Sequence, residues 1–271
     1  MRILNMTKIK AGDLVLFFYN DSKKWLLKIS KKEQFHSHIG IIKHADAIGK
    51  EFGTRLITNK DKYVYLLKPT IHDHVMKMQH GTQIVYPKDL GYIAARTGLQ
   101  SGYKVVEIGT GSGSLTTFLA SIVKPRGHVY TFDVEPKFME IAEKNIKKAG
   151  MSKYVTMHNQ NLKKSKKLPI DECDLAIIDL GDPWEVLPQV RKMLKSSGSV
   201  VAICPTMNQL EKLSAAFVEN EFTDIESTEH ILRRIEARDG KTRHSYQGIG
   251  HTTYLAMARK VYFNKKRSKK K

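Results

Sequence analysis

The sequence predicts an α/β protein, a parallel sheet wound with helices and preceded by a small β-rich domain, and three observations carry that prediction. Between Lys104 and Asp133, an apolar run (Val105, Val106, Ile108) is followed by a glycine-rich turn (Gly109, Gly111, Gly113), a helical segment from Ser114 to Val123 and a second β-rich run. That order is a strand, loop, helix, strand unit, which opens a parallel sheet and binds ligands at the strands' carboxyl ends. Downstream, apolar runs alternate with helical segments in the manner of repeated βα units. Upstream of residue 70, short β-branched and aromatic segments are separated by turn formers, as in a small barrel or curled sheet.

The early segments are Leu14 to Tyr19, Trp25 to Ile29, Ile39 to Lys43 and Tyr63 to Leu67, with Asn20-Asp21-Ser22, Gly49 and Asn59-Lys60-Asp61 between them. Lysines and histidines stud this region, and they suit a solvated surface or a nucleic-acid face equally; His36, His38 and His44 lack the nearby cysteine of a common zinc site. A polar, helix-capable stretch (Ile71 to Met78) and a helix from Leu90 to Thr97 lead into the central unit. Next come a helix from Pro136 to Ala149, with proline in its first turn, a strand at Tyr154 to His158, and the apolar strand Leu175 to Ile178 that ends in Asp179. A helix from about Glu185 to Leu194, the strand Val200 to Cys204 and a helix from Met207 to Glu219 follow. Two last strands, near Asp224 to Leu232 and Thr252 to Val261, are expected to close the sheet as an antiparallel pair. The expected domains are therefore 1–70, β-rich; 71–260, the wound sheet; and 261–271, a basic tail too charged to pack.

Composition narrows the function. The chain of 271 residues can bury a core without staples, and its 46 Lys and Arg against 27 Asp and Glu give a net charge of +19. An excess of that size points to a polyanionic partner, nucleic acid or an anionic membrane. No apolar run approaches the roughly 18 residues of a spanning helix, which disfavours the membrane. Cys173 and Cys204 each sit in an apolar run, as core thiols of a reducing, cytoplasmic compartment do.

The glycine loop narrows the ligand. A dinucleotide fingerprint has G-x-G-x-x-G, but here Ser114 occupies the third place and the third glycine comes one residue early. No Gly-Lys-Ser/Thr closes this glycine loop, which excludes a P-loop there. Glu107, three alternating glycines and an acidic strand end fit S-adenosyl-L-methionine, which has no pyrophosphate to neutralise: the small residues admit the methionine moiety, and Asp133 can accept from both ribose hydroxyls. Another nucleotide, or a tight turn without a ligand, stays open on the loop alone.

The segments GTQIVYPKD, VVEIGTGSGSLT, AIIDLGDPW and GHTTYLAMARK span residues 81–260. In them the chain resembles the tRNA (adenine-58-N1)-methyltransferases, in particular the single-subunit archaeal and bacterial form. The combination of YPKD with D-x-x-x-P-W is more specific than the glycine loop, which many methyltransferases share. The resemblance implies a Rossmann-like class I S-adenosylmethionine-dependent methyltransferase that methylates N1 of adenine 58 in the tRNA T-loop, in archaeal forms adenine 57 as well, usually as a homotetramer. It carries cofactor contacts onto Gln83, onto Glu107, Ile108, Gly109, Thr110, Gly111, Ser112, Gly113 and Ser114, onto Asp133 and Val134, and onto Asn161, Leu162 and Asp179. The family more often has Glu at the position of Asp133, Asp at that of Asn161 and a bulkier residue at that of Gly181. The catalytic aspartate matches Asp179 and the active-site tyrosine Tyr86; no metal is implied. The alternative roles are an N-cap for Asp179, a packed aromatic for Tyr86 and core for Trp184.

Candidate RNA contacts are Lys163, Lys164, Lys166 and Lys167, with Lys265, Lys266, Arg267, Lys269, Lys270 and Lys271 in the tail. Two other readings remain: a methyltransferase for another substrate, such as the isoaspartyl carboxyl enzymes, and a non-catalytic RNA-binding subunit of the same fold.

Overall fold

The computed structural model describes residues 8–165, 170–246, 248 and 250–262. Two compact units divide between Met78 and Gln79 rather than at residue 70. In the first, β1 (Leu14–Asn20), β2 (Lys23–Lys28), β3 (Gln34–Ser37), β4 (Gly40–Lys43), β5 (Arg55–Ile57) and β6 (Tyr63–Leu67) precede the helix α1 (Ile71–Lys77). The sheet is antiparallel in the order β2-β1-β6-β5, and β3-β4 is a separate hairpin, so the expected barrel or curled sheet is a four-stranded sheet with a hairpin beside it. Alternation sets its faces: Val64 and Leu66 of β6 turn inward with Phe17, Ile29 and Phe35, whereas Tyr63 and Tyr65 turn to solvent. Asn20 fixes the β1–β2 turn, its Oδ1 accepting from the Ser22 and Lys23 amides. A capping box between Thr70 and Asp73 starts α1, and its contact with β2 explains the later boundary.

The second unit runs α2 (Pro87–Thr97), β7 (Lys104–Ile108), α3 (Ser114–Val123), β8 (His128–Asp133), α4 (Pro136–Lys148), β9 (Val155–Asn159), β10 (Cys173–Ile178), α5 (Leu187–Met193), β11 (Leu194–Cys204), α6 (Met207–Glu219), β12 (Phe222–Glu229), β13 (Ile235–Glu236), β14 (Arg243–His244) and β15 (Tyr254–Lys260). Its seven-stranded sheet has the order β12-β15-β11-β10-β7-β8-β9. The five strands from β11 to β9 are parallel, and β15 is antiparallel to both its neighbours, as expected of the closing pair. Leu175 to Ile178 and Val200 to Ala202 are wholly buried, the reason these strands read as unbroken apolar runs.

Several boundaries differ from expectation. α2 begins at Pro87, because proline is already shaped for a first helical turn. Pro183–Val186 forms a 3₁₀ turn, so α5 starts at Leu187. β11 begins at Leu194, six residues before Val200, through a polar stretch that contains Ser197 at φ 63°. β12 stops at Glu229, and the loop after it carries the hairpin β13–β14. The chain builds β7, β8 and β9 outward on one side, then returns to lay β10 and β11 on the other. That reversal opens a crevice at the carboxyl ends of β7 and β10.

Candidate active site

The turn after β7 and the turn after β10 meet in this crevice. Asp179 N–H donates to the Ile108 carbonyl at 2.8 Å. Gly109 has φ +102°, and a Cβ there would lie 2.1 Å from the Asp179 carbonyl oxygen. Glycine is thus required twice, by the left-handed backbone and by the close approach. Gly111, at φ +52°, aims its amide at Asp133 Oδ2, 2.9 Å away, and the other Asp133 oxygen accepts from Glu135 N at 3.0 Å. The ribose-binding expectation is therefore modified: each Asp133 oxygen already holds one backbone donor and keeps a lone pair for a ligand.

Three carboxylates gather at these strand ends, and no cation among the described residues pairs with them. Asp179 is partly buried, and no donor among the described residues reaches its carboxylate. Desolvation, then repulsion from Asp133, pushes its pKa up to about 6. Glu107 is fully buried: Oε2 accepts from the Thr116 hydroxyl at 2.5 Å and Oε1 has no partner. Burial first, with Asp179 and Asp133 adding to it, raises Glu107 to about 8 against the opposing bond from Thr116. A desolvated acidic cluster of this kind favours a positively charged ligand. S-adenosyl-L-methionine, with its sulfonium and ammonium, fits that donor set.

The other expected residues sort into those at the crevice and those behind it. Gln83 and Tyr86 are linked, Gln83 Nε2 to Tyr86 Oη at 3.4 Å, with Tyr86 half-buried in the position preceding α2. Val134 is exposed beside Asp133. Asn161 follows Gln160, whose amide donates to the Asp133 carbonyl, but Asn161 Oδ1 already accepts from Lys163 N at 3.0 Å and caps a short turn. Ile108, Leu162 and Ser114 are buried. Thr110 Oγ1 is paired with Thr131 Oγ1 at 2.7 Å. The Ser112 hydroxyl accepts from Gly81 N (2.8 Å) and Thr82 N (3.1 Å), so its side chain holds the GTQ segment against the loop that runs to Gly113. The N-cap alternative for Asp179 fails, since Asp182 precedes the Pro183–Val186 turn and no side chain caps it. Trp184 is half-buried against the core, with Lys212 Nζ 3.9 Å from its ring centroid.

Sequence reasoning missed the side chains that brace the crevice. Asn145 of α4 accepts from Gln79 N and donates to the carbonyls of Gln79 and Ser112. Within YPKD, the fully buried Asp89 meets Lys88 Nζ at 2.8 Å, Thr252 Oγ1 at 3.0 Å and His230 Nδ1 at 3.3 Å. Polar residues inside YPKD and GHTT were the available signal. Among the RNA candidates, Lys163 pairs with Glu185 at 2.8 Å, Lys164 is exposed, and Lys166, Lys167 and the tail cations lie outside the described residues. In the first unit His44 is buried and accepts from Ser30 N, while His38 meets Lys23 Nζ; no metal-binding group of three is present among the described residues. Cys173 and Cys204 are buried free thiols, and no helix of the described residues is long and apolar enough to cross a membrane.

Comparison with known proteins gives a consistent picture. A family model described as the tRNA methyltransferase complex GCD14 subunit matches residues 62–271. The chain is 34% identical over 261 residues to the Methanocaldococcus jannaschii tRNA (adenine(57)-N(1)/adenine(58)-N(1))-methyltransferase TrmI, covering 88% of this chain and 91% of that protein. The crystal structure of the Aquifex aeolicus tRNA (m1A58) methyltransferase TrmI superposes with a TM-score of 0.82 at 31% identity, covering 95% of this chain and 100% of the other. A Thermotoga maritima structure described as a SAM-dependent O-methyltransferase superposes with a TM-score of 0.88 at 30% identity, covering 94% and 96%.

Proposed function

The chain belongs to the family of the tRNA methyltransferase complex GCD14 subunit, and from that premise we propose that it transfers a methyl group from S-adenosyl-L-methionine to N1 of adenine 58 in the T-loop of tRNA. The neighbouring adenine 57 is a second acceptor to be tested. The observation that carries this reading is Asp179: its backbone carbonyl and Cβ pack against Gly109 at the switch point, and its partly desolvated carboxylate meets no donor among the described residues.

Gln83, the loop from Glu107 to Ser114, Asp133, Val134, Asn161 and Leu162 would hold the cofactor, whose sulfonium supplies the methyl group when bound. The protein's own part begins with the acceptor. Adenine N1 carries a free lone pair at neutral pH, so no general base is needed, and the residues must align the ring and receive charge. Methylation makes the base cationic. Asp179, accepting from the exocyclic amine, stabilises the charge as it develops. Opposite charges about 4 Å apart interact by roughly 4 kcal/mol at an effective dielectric near 20, and only the part realised in the transition state accelerates the reaction. Tyr86 borders the place where the extruded base would enter, and its ring suits stacking.

Support for a homotetramer comes from the resemblance alone, and the two buried thiols support a reducing, cytoplasmic setting. The test is to incubate the protein with labelled cofactor and unmodified tRNA and map the methyl group. A label at N1 of adenine 58 is expected; label on another base, on protein or nowhere refutes the proposal.

A further inference from the structure

Between β12 and β15 the chain leaves the sheet as an arm that the methyl-transfer chemistry does not use. Glu229, the last residue of β12, faces Tyr254, the first of β15, and Tyr254 faces Cys204, the last of β11. Because β11 is parallel to β10, the arm leaves from the sheet end that holds Asp179. Its hairpin β13–β14 pairs Ile235 with His244 and Glu236 with Arg243.

The roots of the arm are fixed. His230, at its start, and Thr252, at its end, both meet the buried Asp89 carboxylate, and His251 Nδ1 lies 2.6 Å from Glu229 Oε1. Its body is cationic, and most of that charge is unpaired among the described residues. Arg233, Arg234, Arg238 and Lys241 are exposed, and no carboxylate among the described residues forms an ion pair with them. Arg243 pairs with Glu236 at 3.0 Å and lies over the Tyr246 ring, 4.6 Å from its centroid. Tyr246 is 85% exposed, and Ile231 and Leu232 are exposed as well. From 231 to 246 the balance is five Arg and Lys against Glu236 and Asp239, or 5 − 2 = +3. Two copies of such an arm repel each other, whereas a polyanion attracts it.

We propose that this arm grips the RNA beside the target adenine, with Arg233, Arg234, Arg238 and Lys241 on phosphates and the Arg243–Tyr246 pair offering a stacking face to an unpaired base. The proposal rests on the reading of tRNA as substrate. Its rigid root and free cations suit a clamp that holds the T-loop while one base is out of the stack.

The test uses the full chain with Arg233→Ala, Arg234→Ala and Arg238→Ala combined, and the corresponding triple Lys variant as the charge-retaining control. Methylation kinetics on unmodified tRNA, the salt dependence of tRNA affinity, cofactor affinity and mass by light scattering are measured together. In the Ala variant the KM for tRNA should rise at least about tenfold, and the log–log salt slope should fall by about 2 to 3, at roughly 0.9 for each phosphate no longer neutralised. Cofactor affinity and mass should hold, and the Lys variant should retain the slope. An unchanged KM and slope overturn the proposal, as does a change of mass with the slope retained, which assigns the arm to a second copy of the chain. Wild-type protein that neither binds nor methylates tRNA overturns the substrate reading too; tRNA methylation with an unaffected Ala variant overturns the arm alone.

Discussion

The carboxylate of Asp89 is fully enclosed and meets Lys88, Thr252 and His230, whereas that of Asp179, in the same unit and more open, meets no donor at all among the described residues. Burial of an ion is tolerated when cations and hydroxyls replace its water, and Asp89 satisfies that condition within the protein. Asp179 does not. It faces Asp133, and both raise the pKa of Glu107 beside them. One acid therefore ties α2 to the roots of β12 and β15, and the other stores an electrostatic demand that a cationic ligand can answer. The contrast between a satisfied and an unsatisfied acid separates structure from function more clearly than burial does.

The strongest way to break this contrast is Asp179→Asn. We expect turnover to fall at least about a hundredfold and cofactor affinity to fall far less, since the lost interaction strengthens mainly as charge develops. Single-turnover kinetics and direct cofactor titration measure the two quantities, and wild-type turnover refutes the assignment. Asp89→Asn should act on the opposite quantity. It leaves Lys88 buried without its counter-charge, a change that costs about 3–5 kcal/mol of stability and is read by chemical denaturation.

Glu107 sharpens the comparison through pH. Its pKa is raised in the fold from the ordinary 4.5 to about 8, so the stability present below about 4.5 is lost as the pH rises through about 8. Denaturation of the ligand-free protein should show a decline of a few kcal/mol across that window, with Asp179 contributing below about 6. Glu107→Gln should flatten most of it; an unchanged slope shows that Glu107 is not the source. The smallest effect belongs to Lys163→Ala. In the Lys163–Glu185 pair the lysine is half-buried and the glutamate exposed, so its loss should change stability by less than about 1 kcal/mol, and a rise in the KM for tRNA above about twofold returns Lys163 to the RNA face.

What the sequence disclosed was set by local chemistry. The glycine turn, its helix and the acidic strand end are written in consecutive residues, because the left-handed backbone at Gly109 and the apolar run ending at Asp179 each need only their neighbours. The early start of β11 was hidden because Lys195 and Ser196 lack strand character and pairing with β10 decides the matter. Asp89 was hidden for a different reason: His230 and Thr252 lie 141 and 163 residues away in the chain. Ser112 and Asn145 were likewise legible as polar residues but not as braces. Their partners, Gly81, Thr82 and Gln79, belong to a loop with no periodic signal.

The central claim is that the acids at the ends of β7, β8 and β10 await a positive charge. Calorimetric titration of S-adenosyl-L-methionine near pH 6, in buffers of different ionisation enthalpy, counts the protons exchanged on binding. If the claim holds, a bound cation lowers the raised pKa values and protons are released, fewer of them from Asp179→Asn and fewer still when the uncharged-sulfur product is the ligand. Binding that releases no protons, or the same number from wild type and variant, contradicts it.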